Sequence, residues 1–272
     1  MMMNLNSPIG IFDSGVGGLT VLKELTKTLP GESYIYYADS GNCPYGNMDI
    51  DTITANSINI TRFLVEKGCK LIVVACNTIT TNIINTLRET FNVPFVGMEP
   101  ATKPASIHSK TKSIGILATQ GTLNGNLFLK TMSQYADDVK VCKQVGKNLV
   151  TLIENDKIES EEMKNHLISL LKPMYNENID SLVLGCTHYN YLTKVLHEIL
   201  PPHISIIDNL NAISRQTNRI LTSKQIKSNH SKSSMEIYTS GTTEHIQKFI
   251  SFLEFSNGNT LDSIKIKELK LY

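Results

Sequence analysis

Residues 71–78, LIVVACNT, are echoed at 181–188 by SLVLGCTH. Each stretch is a short run of mostly branched apolar residues that stops at a cysteine and continues with small hydrogen-bonding side chains. A run of this length reads as a strand buried on both faces, as parallel sheets require. The neighbouring segments agree. PIGIF (8–12), YIYYA (34–38), LIVVA (71–75) and VPFVG (93–97) read as strands, with helical periodicity over 16–28, 49–67 and 77–91 between them. The second half repeats the scheme with SIGILA (113–118), DVKVC (138–142), SLVLG (181–185) and ISIID (204–208). A further strand, MEIYTS (235–240), follows the polar surface stretch KSNHSKSS (227–234). The Lys-rich end, 256–272, closes on IKIKELKLY, which reads as a peripheral edge strand.

The echo is wider than the two cysteine boxes. IGIFDSG at 9–15 returns as IGILATQG at 114–121, an offset of 105, and VVACNT returns as VLGCTH at an offset of 110. Any two buried parallel strands look somewhat alike. Two matches in the same order, both ending on candidate site residues, point to duplication instead. The expected fold class is therefore α/β: two similar parallel-sheet lobes with helices on both faces, related by a pseudo-twofold, with the active site in the cleft between them.

Composition narrows the function classes. The 272 residues suit one large or two medium domains, and 26 basic residues against 25 acidic ones leave no basic field for nucleic acid. MMMNLNSPIG has no basic region followed by an apolar stretch, and no apolar run approaches the ~20 residues that cross a bilayer. The expected setting is the cytoplasm. Five cysteines (43, 69, 76, 142 and 186) are an odd number, with no pair at C-x2-C spacing, so neither disulfides nor a zinc knuckle is expected. Cys186 and His188 could share a metal, but nothing nearby in sequence completes a ligand set.

Ligands of open parallel sheets bind beyond the carboxyl ends of the strands. Standing there are Asp13-Ser14-Gly15, Asp39-Ser40, Cys76-Asn77-Thr78, Thr119 and Cys186-Thr187-His188. A lone cysteine is ordinarily a small buried apolar residue. Two at matching strand ends, each before an expected helix whose N-terminal N–H groups favour a thiolate, read as functional. Inverting a stereocentre by moving a proton needs a base on one face of the carbon and an acid on the other. Thiols titrate close enough to neutrality for both roles. DSGVGG (13–18) invites comparison with a dinucleotide loop, with Asp39 as the ribose acid, but Thr20 occupies the place of the third glycine. Asp13 and Ser14 can equally cap the following helix, and the same N–H groups can hold a carboxylate. His188, two residues after a thiol, is placed to tune it. A receptor that closes on an amino acid without reacting, and a nicotinamide-dependent oxidoreductase, remain the rival readings.

The stretches IGIFDSGVGGLTV (9–21), YYADSGNCPYG (36–46), VVACNT (73–78), VPFVGMEPATKPA (93–105), IGILATQGT (114–122), LVLGCTHY (182–189) and IYTSGTTEHIQKFISFLE (237–254) together resemble the glutamate racemases of the cofactor-independent Asp/Glu racemase superfamily. Aspartate racemases share the paired cysteines, but DSGVGG and PYG favour the glutamate branch. The resemblance implies that Cys76 and Cys186 are the acid–base pair, Cys76 deprotonating D-glutamate and Cys186 L-glutamate. It implies a substrate site of Asp13, Ser14, Tyr45, Gly46, Asn77, Thr78, Thr187 and His188, with Thr119 or Thr122 close by and Glu154 assisting the thiols alongside Asp13 and His188. It further implies no metal, no cofactor such as pyridoxal phosphate, a homodimer, and D-glutamate supplied to bacterial peptidoglycan synthesis. The lobes would be 1–97 plus 209–272, and 98–208. Two positions depart from the pattern: Asn190 replaces the proline after the second cysteine box, and Asp208-Asn209 replaces Asp-Ser.

Overall fold

The computed structural model describes residues 5–135, 138–228, 233–253 and 264–272. Its strands are β1 (Ile9–Asp13), β2 (Tyr34–Ala38), β3 (Leu71–Val74), β4 (Phe95–Gly97), β5 (Ser113–Ala118), β6 (Lys140–Val145), β7 (Ser181–Gly185), β8 (Ser205–Ile207), β9 (Met235–Thr239) and β10 (Lys265–Glu268). They form two sheets, β10-β9-β2-β1-β3-β4 and β6-β5-β7-β8, in which every recorded pairing is parallel. The order β2-β1-β3-β4 of the first sheet recurs as β6-β5-β7-β8 in the second. The sequence echo is thus a repeated topology, with β1 matching β5 and β3 matching β7. The C-terminal edge strand is present as β10, while residues 256–263 of that segment, like 229–232 of the polar stretch, lie outside the described residues.

The helices are α1 (Leu19–Thr28), α2 (Ile50–Glu66), α3 (Asn77–Thr90), α4 (Thr102–His108), α5 (Gln120–Leu123), α6 (Asn126–Tyr135), α7 (Leu149–Glu154), α8 (Glu161–Tyr175), α9 (Thr193–Ile199), α10 (Leu210–Ser223) and α11 (Thr243–Leu253). Local chemistry sets several starts: Asp49 accepts from Thr52 N–H ahead of α2, and Ser160 from Met163 N–H ahead of α8. Two expectations shift. The segment expected to be helical from residue 16 becomes helix only at Leu19, because Ser14–Gly18 form a bent loop drawn toward other partners. The strand expected over 138–142 runs over Lys140–Val145, since pairing along the whole of β5 carries it through Lys143 and Gln144. As an edge strand, β6 tolerates those polar residues on its outer side.

Side-chain alternation sorts the strand residues into layers. Ile9, Ile11, Tyr34, Tyr36, Leu71 and Val73 join Leu117, Leu182 and Leu184 of the second sheet in one apolar cluster, which also holds Leu149, Ile153 and Tyr191. Phe12, Ile35, Tyr37, Ile72 and Val74 face a second cluster with α2 and α3, and Ile114, Ile116 and Val183 a third with Phe128. The middle cluster is continuous through both sheets, so the two halves share a core.

At the amino edge of the first sheet, away from the cysteine boxes, Lys70 and Glu32 form a buried ion pair at 2.6 Å. Lys70 also donates to Leu5 O (2.7 Å) and Glu32 accepts from Ser228 N–H (2.8 Å). Removing one partner strands the other charge in a dry site, so Lys70→Met is expected to cost about 3–5 kcal/mol, most of it recovered in Lys70→Met/Glu32→Leu. Urea unfolding midpoints measure this, and a single-variant loss below about 1 kcal/mol would contradict it.

Candidate active site

In each sheet the strand order reverses direction, at β1/β3 in the first and β5/β7 in the second, which is where doubly wound sheets open a crevice. Asp13-Ser14 follows β1 and Cys76 follows β3; Thr119 follows β5 and Cys186 follows β7. The two thiols therefore come from equivalent points of different sheets. They are almost sealed, Cys76 at 5% and Cys186 at 7% exposure. Thr187, next to Cys186, reaches Asp13, whose neighbour Ser14 lies against the Cys76 sulfur, so the two strand ends meet at one crevice.

Around Cys76 the first half provides Ser14, whose Oγ lies 3.7 Å from the sulfur, and Asn77, whose Nδ2 donates to Met98 O at 3.1 Å. Asn77 Oδ1 is buried and, among the described residues, has no hydrogen-bond partner. An unpaired buried acceptor costs about 1–3 kcal/mol, which a bound donor would relieve. Thr78 reaches across to the second half, its Oγ1 2.9 Å from Thr119 Oγ1 and 3.3 Å from Thr122 Oγ1. Gly46 packs on Thr119, while the Tyr45 hydroxyl is engaged by Asp39, which also accepts from Ser240 Oγ at 2.6 Å and from the Tyr272 hydroxyl. The Tyr45 hydroxyl is thus committed to Asp39.

Cys186 precedes a 3-10 turn, Thr187–Leu192, and α9 starts only at Thr193. The Tyr189 N–H bond to Cys186 O (3.1 Å) tightens that turn and buries Tyr189 and Tyr191. His188 Nδ1 lies 3.9 Å from the Cys186 sulfur and its Nε2 lies 2.7 Å from Glu154 Oε1. Thr187 Oγ1 donates across to Asp13 Oδ2 at 3.3 Å, while Asp13 Oδ2 also accepts the Gly18 N–H at 2.7 Å. Asp13 therefore both caps its loop and joins the two halves.

The glycines of DSGVGG serve close approach. A Cβ on Gly17 would sit 2.6 Å from His188 Nδ1 and 2.7 Å from its backbone nitrogen, and one on Gly15 would collide with Glu154. The loop is held by Glu154 Oε1 accepting Val16 N–H (2.9 Å), Tyr36 OH donating to Gly15 O (2.6 Å) and Tyr191 OH donating to Val16 O (3.0 Å). Two of the loop N–H groups, those of Val16 and Gly18, are thus given to the carboxylates of Glu154 and Asp13. Asn190, the first departure from the family pattern, donates to Thr20 Oγ1 across the halves at 3.2 Å. In the second, Asp208 Oδ1 accepts Leu210 N–H (2.9 Å) at the start of α10, and Asn209 Nδ2 donates to Glu99 O.

Burial, reinforced by the charge of Asp13, pushes the Cys76 thiol up and outweighs the helix N–H groups expected to favour a thiolate. Burial likewise raises Asp13, against the pull of His188. For Glu154, burial pushes upward, but hydrogen bonds from His188 and His245 and the Val16 N–H hold the carboxyl well below its usual range. Burial works against a charged His188, yet hydrogen bonds to Cys186, Cys43 and Glu154 prevail and raise it well above the usual histidine value. Glu154 and His188 thus form a charged pair.

Two neighbours are absent from the expected set. His245 Nε2 lies 2.6 Å from Glu154 Oε2, and the Cys43 sulfur lies 3.5 Å from Glu154 Oε1. Burial pushes the Cys43 thiol up to about 12. Cys43, Glu154 and His188 bring possible ligand atoms within 4.8 Å of one another, whereas Cys186 is not part of that group. A metal there would have to displace the hydrogen bonds that Glu154 Oε1 already accepts. A cavity of about 380 Å³ lined by Cys43, Thr151, Glu154 and His245 opens beside this network. A larger cleft of about 620 Å³, with Glu99, Lys103, Lys130, Asp208 and Arg215, lies at the chain crossings between the sheets and includes neither catalytic-candidate thiol. No helix among the described residues is long and apolar enough to cross a membrane.

Comparison with known proteins agrees with this arrangement. The chain is 43% identical over 250 residues to a glutamate racemase of Herpetosiphon aurantiacus, covering 92% of this chain and 98% of that protein. Its fold superposes on a glutamate racemase isoform from Bacillus anthracis with a TM-score of 0.88 at 28% identity, over 98% of this chain and 99% of the other. It matches the Francisella tularensis glutamate racemase, solved in complex with D-glutamate, with a TM-score of 0.85 at 25% identity, over 98% of each. Residues 9–217 match the model of the Asp/Glu/Hydantoin racemase family, and with sequence and fold in agreement, the chain belongs to that family.

Proposed function

We propose that this protein interconverts L- and D-glutamate by proton transfer between two thiols, without metal or organic cofactor. The observation that carries the reading is the placement of Cys76 and Cys186 at equivalent strand ends of two different sheets, linked by the Thr187–Asp13 hydrogen bond and the contact of Ser14 with the Cys76 sulfur. The names of the relatives, and D-glutamate bound in one of them, support glutamate as substrate.

In this reading the Cys76 thiolate removes the α-proton of D-glutamate while the Cys186 thiol delivers a proton to the opposite face. L-glutamate reacts by the reverse exchange. One C–H bond breaks, one forms, and the two sulfurs swap protonation states. The α-proton is very weakly acidic, so the site must stabilise the enolate-like carboxylate. Hydroxyls of Ser14, Thr78 and Thr187 and backbone N–H groups at the helix starts are the available donors, each worth about 3 kcal/mol in a dry site. The unpaired Asn77 Oδ1 suits the substrate ammonium. His188, against the Cys186 sulfur, is placed to exchange its proton. With both sulfurs sealed, substrate enters only when the halves, taken as 1–97 plus 209–272 and 98–208, move apart. The same reading includes a cytoplasmic homodimer that supplies D-glutamate for peptidoglycan.

Incubation with L-glutamate in deuterium oxide is expected to give D-glutamate carrying α-deuterium, with no added cofactor. Substrate recovered unlabelled and unracemised would favour a receptor, and dependence on nicotinamide an oxidoreductase. Cys76→Ser and Cys186→Ser are each expected to lower turnover by at least roughly 10²–10⁴ while circular dichroism stays native, as loss of a positioned acid or base requires. Full activity in either variant would end the two-thiol mechanism.

A further inference from the structure

We propose that His245 is a positioning residue for the proton transfer, locking Glu154 so that the His188 imidazole faces the Cys186 sulfur. The inference rests on the racemase reading above and extends it to a residue far away in sequence. Three contacts form a chain: His245 Nε2 to Glu154 Oε2 at 2.6 Å, Glu154 Oε1 to His188 Nε2 at 2.7 Å, and His188 Nδ1 to Cys186 Sγ at 3.9 Å. Each carboxylate oxygen takes one imidazole, so the carboxylate plane is set by both.

Glu154 needs such an anchor. It is the last residue of α7, a single short helix, and the chain turns away at once through Asp156, which has a positive φ of 58°. Without a second hold on Oε2, the carboxylate can rotate about its terminal bond, and Oε1 would no longer point at His188 and Val16 N–H together. The His245 ring is itself fixed. It packs edge-on to Phe249, with centroids 5.1 Å apart, and Phe249 in turn packs on Tyr191, whose hydroxyl holds the DSGVGG loop at Val16 O. His245 is only a quarter exposed, and its ring nitrogen points inward to the carboxylate, not out to water. The arrangement follows the logic of an acid–base residue oriented by a carboxylate that is itself held by a third group.

A displacement of about 1 Å at a reacting group costs up to roughly 10²-fold in rate. His245→Leu is therefore expected to lower kcat about 10- to 100-fold with KM for glutamate changed less than about twofold, as befits a residue that does not touch substrate. His245→Gln, which retains an N–H donor, is expected to recover most of the loss. In a Glu154→Gln background, His245→Leu is expected to add less than about twofold, because the two act through one path. Histidine side-chain nitrogen NMR gives a readout independent of turnover: the His188 ring signals should move in His245→Leu and return toward wild type in His245→Gln. Should the leucine variant misfold, His245→Asn, too short to reach Glu154, takes its place. Wild-type kcat in His245→Leu, an equal loss in both backgrounds, or unmoved His188 signals would overturn the assignment. A wild-type protein that racemises nothing, yet whose His188 signals respond to His245, would sink the racemase reading and leave the positioning contact standing.

Discussion

The carboxylate of Glu154 ties the molecule together where the chemistry sits. It belongs to a helix of the second half, yet it accepts the Val16 N–H of the first half, binds His188 beside one thiol, and is gripped by His245 from a helix near the C-terminus. A buried carboxylate is costly unless its lone pairs are satisfied, and here the donors come from segments far apart in the chain. Forming this network forces the DSGVGG loop, the second cysteine box and α11 into one arrangement. The absence of side chains at Gly15 and Gly17 leaves room for the carboxylate and the imidazole to come that close.

With the crevice closed, the two halves are consequently packed as one body. One apolar cluster runs through both sheets, and Thr78 with Thr119, Thr187 with Asp13, and Asn190 with Thr20 stitch the rim of the crevice. Sealing brings the thiols into a medium where fixed dipoles count for more than they do in water. It also sets opposing demands. Burial keeps the Cys76 proton on, while the surroundings of His188 sustain an imidazolium next to Cys186. The repeat in the backbone is thus not a repeat in the electrostatics: the sulfurs occupy equivalent places in unlike company, Ser14 and Asp13 near one and His188 near the other.

The parallel sheets, the repeat of one α/β scheme in two halves and the place of both cysteines just past strand ends were legible in linear sequence. Each depends on local pattern: branched apolar runs of strand length, amphipathic spacing between them, and residues lying just past a carboxyl end. Where local pattern misjudged boundaries, tertiary contact had overridden it, as when Val16 left its helical register for Glu154 and Tyr191, or when Lys143 and Gln144 were drawn into β6 by pairing with β5. The pull of a helix start on the Cys76 thiol is likewise outweighed by burial, which pushes that thiol up. A dipole is a property of one helix, whereas desolvation is the sum of everything packed around it.

His245 and Cys43 lie in stretches that carry the family resemblance, yet nothing local marked either as a site residue, since each meets Glu154 across roughly a hundred residues and neither sits at a strand end. Glu154 itself was marked by resemblance alone. Hydrophobic periodicity encodes which face of an element turns inward, and so it reaches as far as the parallel strands and the place of the two cysteines at their ends. Hydrogen-bond partners separated by that much chain are selected only when the elements dock, because their directions and spacings do not exist until the shared core has formed.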